Sequence, residues 1–154
     1  MAFFLSTFTN KVDKKGRVSV PATFRAAVAG GAFPGIVLYR PFNLACIEGA
    51  DMAFLERLSD QFYDEFGPFN PDQAALTATI LAGAVQLAFD PEGRVMLPGE
   101  FKEHAGITDT ATFVGIGRKF QIWGPEAFEA YQADQFVKAA EAAPKLRPAK
   151  GGQP

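Results

Sequence analysis

The stretch DKKGRVSVPATFR, residues 13–25, returns later in the chain as DPEGRVMLPGEFK, residues 90–102. Asp13/Asp90, Gly16/Gly93, Arg17/Arg94, Val18/Val95, Pro21/Pro98 and Phe24/Phe101 are identical at one fixed offset, where ordinary amino-acid usage gives about one identity in a window of that length. The chain therefore carries an internal repeat. Each copy has an Asp and a Gly in a short charged turn, then an alternating apolar strand, then a proline that opens a helix. Asp favours the start of such a turn because its carboxylate accepts backbone hydrogen bonds. The Gly adopts a backbone conformation that other residues resist, and an Arg four positions after the Asp can pair with it. Asp13, Gly16, Asp90, Gly93 and Arg94 are accordingly read as structural turn residues.

Outward from this core, both copies repeat the same order of elements. Phe3–Val12, the turn and RVSV predict a β-hairpin, PATFRAAVA a short helix closed by Gly30 and Gly31, and GIVLYR with LACIEG a second hairpin. The second copy follows with AVQLAF, DPEG, RVMLP, a helix ending near Gly106, then ATFVGIG and FQIWG. Between the copies, Met52, Leu55, Leu58, Phe62 and Phe66 recur at helical spacing. A further helix is predicted after Asn70 as N-cap, with Pro71 in its first turn and Gln73 as the capping-box residue. Another follows Gly124-Pro125. The division is a first repeat over 7–54, a helical connection over 55–82, a second repeat over 83–126, a C-terminal helix over 127–143 and a Pro/Gly/Lys-rich tail over 144–154 expected to be disordered. Each repeat is too short to bury much apolar surface alone, so two interlocking halves around one core, with the helices outside, are expected. Some of the 16 phenylalanines then remain for contacts between subunits.

Composition limits the function classes. Content that is 48% hydrophobic and 21% charged is that of an ordinary globular chain, not a disordered or fibrous one. The longest apolar stretch, TILAGAVQLAF, falls well short of the roughly 20 residues of a membrane-spanning helix. MAFFLSTF lacks a basic secretory n-region and Cys46 is the single cysteine, so a cytoplasmic location is expected. Cys46 and His104 are not oriented toward each other by any motif, and no metal-ligand spacing occurs. GIGRKF has two glycines of a dinucleotide fingerprint, but Phe120 stands where the third belongs. No catalytic residue, cofactor, metal or small-molecule substrate is assigned.

The copies differ in charge. Residues 11–25 carry Lys11, Lys14, Lys15, Arg17 and Arg25 against Asp13 alone, whereas residues 90–102 carry Arg94 and Lys102 against Asp90, Glu92 and Glu100. With a formal net charge of −2 the whole chain exerts no attraction on nucleic acid, so any such site is local. A ribbon of strands can enter the major groove, with Lys neutralising phosphate and Arg bonding two acceptors of a guanine edge. Charge alone also allows a solvated surface hairpin.

Asp13, Lys15, Gly16, Arg17, Val18, Pro21, Phe24 and Arg25, with Asp90, Gly93, Arg94, Pro98, HAGI (104–107) and VGIGRKFQIW (114–123), resemble the paired signature of the MraZ family over about residues 1–135. That resemblance implies an α+β fold, a double swapped-hairpin, AbrB-like β-barrel core built from two SpoVT-AbrB-type repeats with peripheral helices. It implies a sequence-specific DNA-binding transcriptional regulator, nucleoid-associated, that acts on tandem promoter repeats of the division and cell-wall operon including its own gene. Its partners would be double-stranded DNA and a homo-oligomeric ring of its own copies, with neither a membrane nor a small-molecule substrate. Lys14, Lys15 and Arg17, then Lys11 and Arg25, are the expected DNA-contacting residues. Because Glu92 replaces the turn lysine, DNA contact is not carried over to the second copy; nor is it carried to QAALTATILAGA, which has no Arg or Lys. An antidote-like module that holds a protein partner on an AbrB-type core is the alternative.

Overall fold

A computed structural model describes residues 1–148. The strands are β1 (Thr7–Lys11), β2 (Arg17–Ser19), β3 (Gly35–Tyr39), β4 (Ile47–Ala50), β5 (Val85–Ala88), β6 (Arg94–Met96), β7 (Thr110–Gly115) and β8 (Phe120–Trp123). The helices are α1 (Ala22–Val28), α2 (Met52–Phe66), α3 (Pro71–Ile80), α4 (Gly99–Ala105) and α5 (Pro125–Ala142), followed by a 3-10 turn at Ala143–Lys145. The predicted tail lies beyond the described residues from position 149 onward.

Strand pairing crosses between the copies. β1 of the first copy runs antiparallel to β7 of the second, from Thr7↔Val114 to Lys11↔Thr110. Conversely, β5 of the second copy pairs with β3 of the first, from Gly35↔Ala88 to Leu38↔Val85. The hairpins β3–β4 and β7–β8 join through β4–β8, which gives one antiparallel sheet in the order β1-β7-β8-β4-β3-β5. β2 and β6 form a separate two-stranded ribbon.

Two expectations need correction. The barrel is not closed, because the sheet ends in two edges, β1 and β5, that do not pair with each other. The segments that follow them leave the sheet at the Asp13 and Asp90 turns and pair in the ribbon instead. For the same reason the predicted β1–β2 hairpin is reduced to one bridge, Val12↔Val18. The strands diverge because each finds a longer ladder in the other copy.

One sheet face carries the main core. Phe24 of α1 is fully buried and meets Phe4 and Phe8 from the N-terminal segment and Phe113 and Phe120 from β7 and β8, with ring centroids 5.2–6.2 Å apart. Edge-on and tilted rings at these distances gain beyond their burial. Ile36, Leu38, Ile47 and Ile122 of the sheet, Val18 and Val95 of the ribbon and Phe101 of α4 complete the cluster. The opposite face is covered in two places. Leu55 and Phe62 of α2 and Ile80 of α3 pack on Val37 and Tyr39, while α5 covers Cys46 and Trp123, whose indole stacks on Tyr131 at 4.5 Å.

The connecting helices follow their sequence signals with two exceptions. Asp51 caps α2 by accepting from Phe54 N, and Asn70 caps α3 by accepting from Asp72 N. Gln73, however, turns inward and donates to Thr77 Oγ1 at 2.9 Å, so it does not close a capping box. Of the periodic residues on α2, Leu55 and Phe62 are buried and Leu58 partly so, but Met52 and Phe66 remain exposed. Those two residues stand at the first and last positions of α2.

Because Phe24 touches residues from both copies, truncation empties the centre of the shared core. Phe24→Ala should cost about 3–5 kcal/mol, read as a shift of the urea unfolding midpoint, whereas Ala22→Ser on the exposed side of α1 should shift it little.

Candidate nucleic-acid interface

The repeated turn is held by one carboxylate in each copy. Asp13 Oδ1 accepts from the backbone N–H groups of Lys15 and Arg17, both at 2.9 Å, and Oδ2 accepts from Arg17 Nε at 2.7 Å. Asp90 does the same with Glu92 N, Arg94 N and Arg94 Nε at 2.9, 2.9 and 2.8 Å. Gly16 and Gly93 close the turns at φ +85° and +78°, a region that disfavours side chains. The backbone N–H of Arg17, foremost, together with its guanidinium and the Lys15 N–H, holds the Asp13 carboxyl below its ordinary value; Arg94 and Glu92 do so for Asp90. Hydrogen bonds to the ionised form stabilise that form.

These turns launch the ribbon. Its register, Arg17↔Met96, Val18↔Val95 and Ser19↔Arg94, puts Val18 and Val95 on the core face. Arg17, Ser19, Arg94 and Met96 share the opposite, outward face, since paired residues in an antiparallel ladder lie on one side. The structure thus brings an arginine from each copy onto one surface. Strand alternation contains this information, but Ser19 and Met96 carry no charge to draw attention to it. Asn10 supports the edge by donating from Nδ2 to the Ser19 carbonyl at 2.8 Å.

The predicted cations take different positions. Lys14 and Lys15 are exposed on the turn beside Arg17, and Lys11 is exposed at the end of β1. Arg25 is drawn away: its Nη1 donates to the Val20 carbonyl, and its side chain lies against Gly93, where an added Cβ would meet it at 2.7 Å. Lys102, its counterpart, lies more loosely over Gly16, where an added Cβ would meet its Cδ at 3.7 Å. Each helix thus reaches the turn of the other copy. The two outward arginines also differ in their surroundings. Arg17 has one carboxylate partner, whereas Arg94 has Asp90 and, 3.6 Å from Nη2, Glu92.

Elsewhere, Glu48, Cys46 and His104 are engaged within the fold. Glu48 on β4 is buried and accepts from Tyr39 Oη, Lys119 Nζ and Gln121 Nε2 at 3.1, 2.8 and 3.0 Å, and Trp123 donates to Gln121 Oε1. Burial first, and Glu48 second, push the Cys46 thiol up to about 12, so it stays protonated at neutral pH. His104 Nε2 lies 3.1 Å from the Leu44 carbonyl. Among the described residues no group of His, Cys, Asp and Glu is arranged to hold a metal ion, and no helix is long and apolar enough to cross a membrane.

Comparison with known proteins places these features in a family context. Residues 80–147 match a family model described as "MraZ protein, putative antitoxin-like". The chain is 43% identical to a protein named transcriptional regulator MraZ from Gluconobacter oxydans, over 97% of this chain and 92% of that one. Identity is also 43% with the protein of that name from Rickettsia bellii, covering 96% and 98%. With that of Parvibaculum lavamentivorans it is 39%, covering 99% of each.

The aspartate clamps make the fold pH-sensitive in a defined direction. Their lowered carboxyl pKa values contribute stability that is present above the ordinary value of 3.8 and is lost as pH falls through the lower folded values. Asp90→Asn should melt at a lower temperature than the parent at pH 7, and the gap should narrow as pH drops below 3.8. Thermal unfolding followed by circular dichroism across that range checks both.

Proposed function

We propose, given that this chain belongs to the MraZ family, that this transcription regulator binds double-stranded DNA through the turn and ribbon of its first repeat. The observation that carries the reading is the outward Arg17, fixed through Nε by Asp13, beside two exposed lysines on the same turn. Nε is used by the clamp, so the terminal nitrogens are presented in one orientation and remain for a base edge. A preset guanidinium loses less freedom on binding, and a bidentate contact to guanine discriminates by roughly 1–3 kcal/mol. Lys14 and Lys15 supply phosphate contacts, which position the ribbon without reading sequence. Lys11 extends the basic edge, and Arg25 has a lesser part because it packs on Gly93.

The second repeat completes the ribbon. Arg94 shares the outward face, but Glu92 and Asp90 offset its charge, so it contributes to folding more than to affinity. The crossed pairing of β1 with β7 and of β5 with β3 supports a swapped-hairpin description of the two repeats, bounded by 7–54 and 83–126 with helices between and after them. One ribbon is a small patch. Several copies in a ring would engage tandem repeats in the promoter of the division and cell-wall operon, including the regulator's own gene, and gain from effective concentration. This places the protein at the nucleoid in the cytoplasm and requires no enzymatic activity. The antitoxin-like wording of the family model keeps an antidote-like, protein-holding module as the second reading.

Fluorescence anisotropy with a promoter fragment tests the assignment. Arg17→Ala should weaken binding by about 1–3 kcal/mol, roughly five- to 150-fold, while Arg94→Ala should weaken it less and lower the melting temperature more. Lys14→Ala should reduce the slope of log K against log salt by about 1. A folded Arg17→Ala protein that binds as tightly as the parent would refute the first-repeat interface and favour the second reading.

A further inference from the structure

We infer that Met96 determines sequence specificity alongside Arg17, by laying its side chain against the C5-methyl group of a thymine next to the guanine that Arg17 reads. The inference rests on the DNA-binding reading proposed above and adds to it a residue of the second repeat. Of the four outward side chains of the ribbon, Arg17, Ser19 and Arg94 are polar or charged. Met96 is the apolar one, 53% exposed although its neighbour Val95 is buried. A single exposed apolar residue is common on protein surfaces. What distinguishes Met96 is its place on the ladder.

The Leu97 N–H donates to the Gly16 carbonyl at 2.9 Å and the Val20 N–H to the Gly93 carbonyl at 3.1 Å. Hydrogen-bonded pairs alternate along an antiparallel ladder, so these two rungs and Val18/Val95 are of that kind. Arg17/Met96 and Ser19/Arg94 are of the other kind, in which side chains stand closest. The Cβ atoms of Arg17 and Met96 then lie about 5 Å apart on one face. Successive bases rise by about 3.4 Å, so a ribbon seated in the major groove with Arg17 on a guanine brings Met96 to the adjacent base pair. There thymine alone presents a methyl group, and apolar contact with it separates thymine from cytosine. The unbranched, polarizable thioether adapts to such a group. At the repeat's fixed offset the equivalent of Met96 is Ser19, beside Arg94, whose charge Asp90 and Glu92 offset. The less neutralised arginine and the apolar contact therefore share one end, which gives the ribbon a direction on DNA that two equal repeats would not.

Replacing thymine by deoxyuridine removes only that methyl and leaves the pairing edge intact, so it isolates the contact. Binding is measured by fluorescence anisotropy on the promoter fragment with each thymine replaced in turn. The parent should lose about fourfold in affinity at one thymine, the amount that one buried methyl group accounts for. Met96→Ala should bind the unmodified fragment more weakly and no longer respond to uracil at that position, whereas Met96→Leu should keep the response. Both variants should melt with the parent, because the side chain is exposed. A parent that binds every uracil fragment alike, or a Met96→Ala protein that still responds at the same thymine, overturns the role of Met96 and leaves the Arg17 reading standing. Binding that Arg17→Ala leaves unchanged overturns both.

Discussion

A carboxylate that accepts three N–H bonds inside a five-residue turn is the constraint on which the rest of this architecture depends. Asp13 takes two backbone donors and the Nε of Arg17, and Asp90 repeats the set with Arg94. The turn bends the chain out of the sheet, and the Gly at its fourth position tolerates the left-handed backbone this requires. β1 pairs with β7 and β2 with β6, so neither repeat can be completed without the other. The same ion pair that holds the turn also fixes the arginine on the outer face.

Duplication with exchange explains how so short a unit acquires a core. Phe24 lies at the meeting point, with rings from the N-terminal segment on one side and from β7 and β8 on the other. Arg25, next in the chain, crosses over the turn of the second copy at Gly93. The asymmetry between copies then becomes affordable for function. Glu92 beside Arg94 quiets one half of the ribbon electrostatically while its geometry stays the same.

Much of this was legible in the residues themselves. The identity of Asp, Gly, Arg, Pro and Phe in both copies announced the turn, the strand and the short helix, because each of those residues has a local physical reason to be there. Asn70-Pro71 marked the start of α3 for the same reason. What was not legible depended on partners distant in the chain. Nothing local to Thr7–Lys11 says that its ladder lies at Thr110–Val114, so a hairpin was expected where only the Val12↔Val18 bridge exists, and a closed barrel where the sheet has two edges. Gln73 has the right spacing for a capping box, but burial against Thr77 determines its direction. Arg25 stands in sequence beside the other first-copy cations, and only the fold brings its side chain against Gly93 of the second copy.

The central claim is that a ribbon built from both repeats, but charged mainly by the first, reads DNA in repeated register. Hydroxyl-radical footprinting on the DNA upstream of the protein's own gene tests this most directly. Protected segments at regular spacing, persisting as salt is raised to physiological strength, are the predicted result. Uniform protection that vanishes with added salt would contradict it, since that pattern reports phosphate neutralisation without sequence recognition.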